Sequence, residues 1–124
     1  MSGEKTILLI GLDPQVVDYE RWPMLTPEKI LGGLETDRRS LEGEGYRVAL
    51  CLIDRGETAE QTVRAALAET PVDAVLIGAG VRKDDALFLL FERLINLLHA
   101  EAPGAKICFN TQPSDTAEAV RRWL

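Results

Sequence analysis

Residues 73–103, DAVLIGAGVRKDDALFLLFERLINLLHAEAP, decide the fold. Ala74-Val75-Leu76-Ile77 is an apolar run too short for a helix and β-branched enough for a strand. Gly78-Ala79-Gly80 breaks it, and the spacing then predicts a helix over 84–100. A buried strand, a glycine turn and a long helix make the first half of a βαβ unit. Stepping about 100° per residue from Leu87, the apolar side chains from Leu87 to Leu98 fill about half the helix circumference. A stripe of roughly 100° serves an ordinary surface helix. The predicted helix is wider than that, so its margins, Leu90 and Leu97 on one side and Phe88 and Ile95 on the other, call for neighbours. The last helix suits one margin and the same helix of a second chain the other, so a homodimer is expected. Glu92, Arg93, Asn96 and His99 share the opposite arc with one stray apolar residue, Leu89.

The surrounding composition is ordinary for a globular α/β domain, and 1–124 reads as one domain. Apolar residues make up 46% and charged residues 27%, a balance that argues against disorder. Net charge is −6, and basic residues occur as isolated pairs such as Arg38-Arg39 and Arg121-Arg122, with no stripe to neutralise a phosphate backbone. Nucleic acid and membrane are therefore not expected partners. The first apolar run, residues 7–12, is too short for a signal peptide or a membrane span, and the cytoplasm is the expected compartment. The two cysteines, Cys51 and Cys108, lie in separate apolar runs without metal-ligand spacing and read as buried hydrophobes.

In chain order, Thr6-Ile7-Leu8-Leu9-Ile10 is the first strand, apolar on both faces as a central parallel strand should be. The stretch from Asp13 to Thr26 is a long loop with Tyr19 and Trp22, of a length often used for lids or binding loops. Its apolar residues, Val16 and Val17 included, equally suit a loop tacked to the core. Thr26-Pro27-Glu28 opens a helix ending near Gly45, with a thin stripe of Ile30, Leu34 and Leu41. Gly32-Gly33 in its interior costs about 1 kcal/mol per glycine, which suggests a kink, close packing against a neighbour or, equally, a merely weak helix. Residues 46–53 form the second strand, and Thr58 with Gln61 predicts a capping box for the next helix. Lys106-Ile107-Cys108-Phe109 is the fourth strand. Asp115 with Glu118 predicts another capping box, before a last helix that turns Val120, Trp123 and Leu124 inward.

This alternation predicts a small doubly wound four-stranded parallel sheet of order 2-1-3-4, with helices on both faces in a three-layer α/β/α arrangement. Such sheets bind ligands beyond the carboxyl ends of the strands where the order reverses, here between the first and third strands. The residues delivered there are Gly11, Asp13, Gly78, Gly80, Arg82, Asn110 and Thr111, with Tyr19 and Trp22 as a cover. Gly78-x-Gly80 permits close backbone approach, while Arg82 is the expected charge partner. Lys83 stands where a dinucleotide fingerprint needs its third glycine, and Asp84-Asp85 would repel a phosphate. Asp13 and Asp54 end adjacent strands, and magnesium would accept such a pair, but no third acid joins them and no resident metal or cofactor is expected. No activated cysteine and no G-x-S-x-G elbow is present, and His99, the single histidine, belongs at the wrong edge of the sheet.

The chain resembles receiver and flavodoxin-like domains in alternation and size. It departs from receivers at Gly78, where they place an aspartate, and from flavodoxins at Gly11-Leu12-Asp13-Pro14, where they place a hydroxyl-rich phosphate loop. The stretches GLDP, VDYERWP, LTPEK, CLIDRGETAE, LIGAGVR and CFNTQPSDTAEAVRRWL resemble a group of short single-domain bacterial proteins of unassigned function with a flavodoxin-like, Rossmann-like pattern. That resemblance spans nearly the whole chain and implies a fold but no activity. The expectation is therefore a small polar or anionic ligand held at the strand ends. An enzyme using Asp13 or Asp54 as acid–base or metal group is one alternative. A homodimeric interaction module built on the wide helix, with no small ligand, is the other.

Overall fold

Four strands pair in parallel in the order β2-β1-β3-β4: β1 (Thr6–Leu12), β2 (Arg47–Ile53), β3 (Ala74–Ile77) and β4 (Lys106–Phe109). The computed structural model describes residues 4–124, apart from the side chain of Pro113. Helices α1 (Pro27–Gly43), α2 (Ala59–Glu69), the single-turn α3 (Ala79–Arg82), α4 (Phe88–Glu101) and the short α5 (Thr116–Arg121) complete the chain. The strand order is the one the alternation predicts.

Period-two side-chain alternation divides the core into two layers. Leu8, Ile10, Leu12, Cys51, Ile53, Val75 and Ile77 face α2 and α4. Ile7, Leu9, Ala74, Leu76 and Cys108 face α1 and α5. The central strands β1 and β3 are thus covered on both sides, which explains why their sequence is continuously apolar. β1 runs two residues beyond its predicted end, because Gly11 and Leu12 continue the ladder opposite Leu52 and Ile53.

Local chemistry fixes the helix ends. Thr26 Oγ1 accepts the Lys29 N–H at 3.1 Å at the start of α1, and Gly45, with φ of 92°, provides the left-handed turn beyond its end. The capping box predicted at Thr58 does not form. The Asp54 carboxylate instead accepts from the amides of Gly56 and Thr58 at 3.0 and 2.9 Å and from the Thr58 hydroxyl at 2.6 Å. A charged acceptor outcompetes the Gln61 side-chain oxygen for the Thr58 amide. At the other predicted box, Asp115 turns back to accept from the amides of Thr111 and Gln112 and from the Thr111 hydroxyl, and α5 lacks a side-chain cap.

The wide stripe of the long helix is largely absorbed within the chain. Leu90, Leu94, Leu97 and Leu98 are buried between the sheet and α2, and each contributes roughly 1.5–3 kcal/mol. The predicted helix start at Asp84 is delayed to Phe88, because residues 85–87 form a 3-10 turn capped by Asp84. Phe88 and Leu89 are left exposed, at 60% and 61%. α5 cannot cover that margin, since it packs on the opposite face of the sheet with α1. Trp123 and Leu124, expected to point inward, are exposed because α5 ends at Arg121 and Val120 is its last inward residue.

Cys51 and Cys108 are free and buried, on strands at opposite edges of the sheet. Three strand spacings, about 14 Å, separate such strands, against the ~7 Å limit for Cα atoms joined by a disulfide. Burial pushes the Cys51 thiol up to about 11 and also raises that of Cys108. Both thiols should react with a thiol reagent only at the rate of unfolding; rapid native-state titration of either would contradict this packing.

Candidate functional site

A cavity of about 350 Å³ lies beyond the carboxyl ends of β1 and β3, on the side of the sheet covered by α1. Its floor is the end of β1, Leu9 to Leu12, and one wall is α1, through Ile30, Gly33, Leu34 and Asp37. Residues 78–80 form the facing wall, while Val17, Trp22 and Leu25 close it from above. The position is the topological switch point of the sheet, and the volume sits at the lower end of the usual small-molecule range, ~300–1,000 Å³.

Two glycines shape this space. A methyl group on Gly11 would approach Leu34 Cδ2 to 3.1 Å, so glycine here lets α1 lie close on the strand. Gly33 shows the reverse: an added methyl group would meet nothing within 4 Å. The close packing expected for Gly32-Gly33 is therefore absent, and Gly33 opens the helix wall toward the cavity.

Of the residues expected at this edge, Gly11, Gly78, Gly80, Asn110 and Trp22 line the cavity, whereas Asp13, Arg82, Thr111 and Tyr19 do not. Asp13 caps the turn at residues 14–16 by accepting the Gln15 N–H at 2.9 Å. Tyr19 donates its hydroxyl proton to the Pro14 carbonyl at 2.7 Å, fastening the segment to itself. Thr111 is bonded to Asp115. Arg82 spans from β3 to β4: its Nε donates to the Ile77 carbonyl at 3.0 Å, and one terminal nitrogen donates to the Asn110 backbone and side-chain oxygens. The guanidinium also lies over the Phe109 ring, 5.3 Å from its centre. Its Nε and one terminal nitrogen are thus engaged in tying strand ends together. Asp54 is consumed by its loop, and hydrogen bonds from that loop hold its carboxyl below the usual range. Among the described residues, no group of three or more His, Cys, Asp or Glu side chains gathers as metal ligands.

The sequence reading passed over the acid that matters most here. Asp37 occupies the helical position between Leu34 and Leu41, on the stripe that packs against the sheet, and is only 5% exposed. One carboxylate oxygen is bonded to Thr116. The other, Oδ1, is buried without a hydrogen-bond partner among the described residues. A hydrogen-bonded chain leads to it: Arg82 donates to Asn110 Oδ1 at 3.1 Å, Asn110 Nδ2 donates to Thr116 Oγ1 at 3.0 Å, and Thr116 bonds Asp37. Burial, with a smaller contribution from the Asp115 charge, pushes the Asp37 carboxyl up to about 6 despite the Thr116 bond. The signal was present in the sequence as an aspartate inside the Ile30, Leu34, Leu41 stripe.

A second buried acid, Asp84, accepts the Ala86 N–H and pairs with Arg21 at 2.9 Å and with Arg55 at 3.9 Å. The Arg21 bridge ties the covering segment to the start of the long helix. No family model matches the chain, and neither a curated protein nor a solved structure does so. Function is therefore argued from the site itself.

The raised carboxyl makes a signed prediction. Because Asp37 is about 6 folded against 3.8 ordinarily, the folded state holds a proton between those values that the unfolded chain releases. The group therefore disfavours folding most fully above about pH 6, and the penalty fades as pH falls toward 3.8. Asp37→Asn should stabilise the protein at pH 7 by about 2–3 kcal/mol, with the gain shrinking toward zero near pH 4. Urea unfolding of both proteins at the two pH values measures the difference, and an equal gain at both would contradict it.

Proposed function

We propose that this domain binds a small organic molecule in the crevice between β1, β3 and α1, with Trp22 as part of its cover. The cavity itself carries the reading. An apolar floor and wall, a few convergent polar groups and a position at the switch point are the usual features of a ligand site in an open parallel sheet. The apolar lining favours a ligand with an apolar body and a polar end over the wholly polar ligand anticipated from the strand-end residues. The engagement of Arg82 by Ile77 and Asn110 weighs against an anionic group held there.

The two alternatives gain less. An enzyme working through Asp13 or Asp54 would need carboxylates free to act, whereas loop donors hold both oxygens of Asp54 and the Gln15 amide holds Oδ1 of Asp13. A homodimer through the long helix would have to rely on Phe88 and Leu89 with the half-buried Ile95, because Leu97 is buried within the chain. Among the described residues, no helix is long and apolar enough to cross a membrane.

Filling the crevice tests the proposal. Gly33→Phe places a ring where there is open space and should leave the fold intact. A library of small aromatic and aliphatic fragments, screened by protein-observed NMR, should yield binders that shift the amides of Gly33, Gly78 and Gly80 and change Trp22 fluorescence. Gly33→Phe should abolish those shifts. A library with no binder at these amides, or binders indifferent to Gly33→Phe, would overturn the reading.

A further inference from the structure

Asp37 narrows the chemistry of the occupant, an inference that rests on the crevice being a binding site. Asp37 lines the cavity, and its Oδ1 is buried and accepts no hydrogen bond among the described residues. Most buried polar atoms in folded proteins are satisfied, so an orphan at the wall of a cavity marks a group awaiting a partner. Three basic residues, Lys29, Arg55 and Lys83, line the crevice, and each has a partner other than Asp37. Arg55 pairs with Asp84, Lys83 Nζ donates to the Thr111 carbonyl at 2.7 Å, and Lys29 Nζ donates to the Met24 carbonyl at 2.8 Å. Arg21 is likewise held by Asp84, and Arg82 by Ile77 and Asn110. No basic side chain bonds to Asp37 among the described residues, and the nearby Asp115 adds negative charge instead of offsetting it.

We propose that the crevice takes a small amine: a molecule with an apolar body whose protonated nitrogen donates to Asp37 Oδ1. The body fills the space left by Gly33 and rests on Leu9, Ile10 and Leu34. Low polarity around the pair strengthens the attraction, while the Thr116–Asn110–Arg82 chain fixes the carboxylate from behind. Arrival of the cation supplies both the missing donor and the missing countercharge. The raised carboxyl of the free protein fits this account, since a buried acid without a cation resists ionisation. A neutral ligand with a hydroxyl would satisfy the oxygen but not the charge; a carboxylate would do neither.

Three probes of similar shape separate these cases: benzylamine, benzyl alcohol and benzoate, each titrated against the wild type and Asp37→Asn, with the amides of Gly33, Gly78 and Gly80 followed by NMR. Benzylamine should bind wild type most tightly, benzoate least, and Asp37→Asn should weaken benzylamine at least about tenfold while changing benzyl alcohol by less than about twofold. The alcohol serves as the control for an intact crevice in the variant. Equal binding of amine and alcohol, or an amine affinity indifferent to Asp37→Asn, would overturn the amine assignment while leaving the crevice as a binding site. Tighter binding of the alcohol, lost in Asp37→Asn, would likewise overturn it, with Asp37 acting as a neutral donor. Failure of all three probes and of the fragment library to shift these amides would overturn both readings.

Discussion

The hydrogen-bonded chain Arg82–Asn110–Thr116–Asp37 holds together the end of the molecule where the strands open. Arg82 begins just beyond β3, Asn110 follows β4, Thr116 starts α5 and Asp37 lies on α1. These four segments are joined by side chains that are half-buried or buried. Hydrophobic packing fixes the layers but not their depth or rotation. Directional bonds at the strand ends supply that constraint, and leaving any one of these buried groups unsatisfied would cost about 1–3 kcal/mol. The crevice is what remains when α1 is held at this distance, with Gly11 allowing contact at one point and Gly33 leaving a gap at another.

One chain of bonds thus links the stability of this end of the molecule to the proposed binding site. Its terminal atom, Asp37 Oδ1, is the single buried side-chain oxygen or nitrogen without a partner among the described residues. A protein that only needed a firm core would be better served by leucine or asparagine at this position. Keeping a carboxylate there lowers stability at neutral pH, and such a penalty is the kind that sites for charged ligands carry. The covering segment is arranged to match. Tyr19 and Arg21 anchor it through Pro14 and Asp84, and Trp22, between them and α1, is left to face the cavity.

Much of the fold was legible because its signals are local and redundant. Continuous apolar runs at residues 7–10 and 74–77, turn residues at their ends and the Thr26-Pro27 helix start all point one way, and the strand order followed from them. The misreadings share a physical cause. Spacing alone makes Thr58 and Asp115 look like helix caps, whereas the Asp54 carboxylate takes the Thr58 amide and Asp115 spends its own carboxylate on the amides of Thr111 and Gln112. Trp123 was assigned inward from periodicity in a helix that stops two residues earlier. At the site, Gly11, Gly78, Gly80 and Asn110 line the cavity because strand ends deliver them together, whereas Arg82 turns its Nε and one terminal nitrogen to Ile77 and Asn110. Asp37 was missed because an acid in a helix reads as solvated unless the whole stripe around it is counted.

The central claim is that a buried carboxyl faces the crevice with one oxygen unsatisfied. The most direct measurement is an NMR titration of the Asp37 side-chain carboxyl carbon in the free protein. The account predicts a midpoint near 6, well above that of the loop-bonded Asp54, whose carboxyl lies below the ordinary range. A midpoint at or below 3.8 would mean that Asp37 is already solvated or paired, and the account would be contradicted.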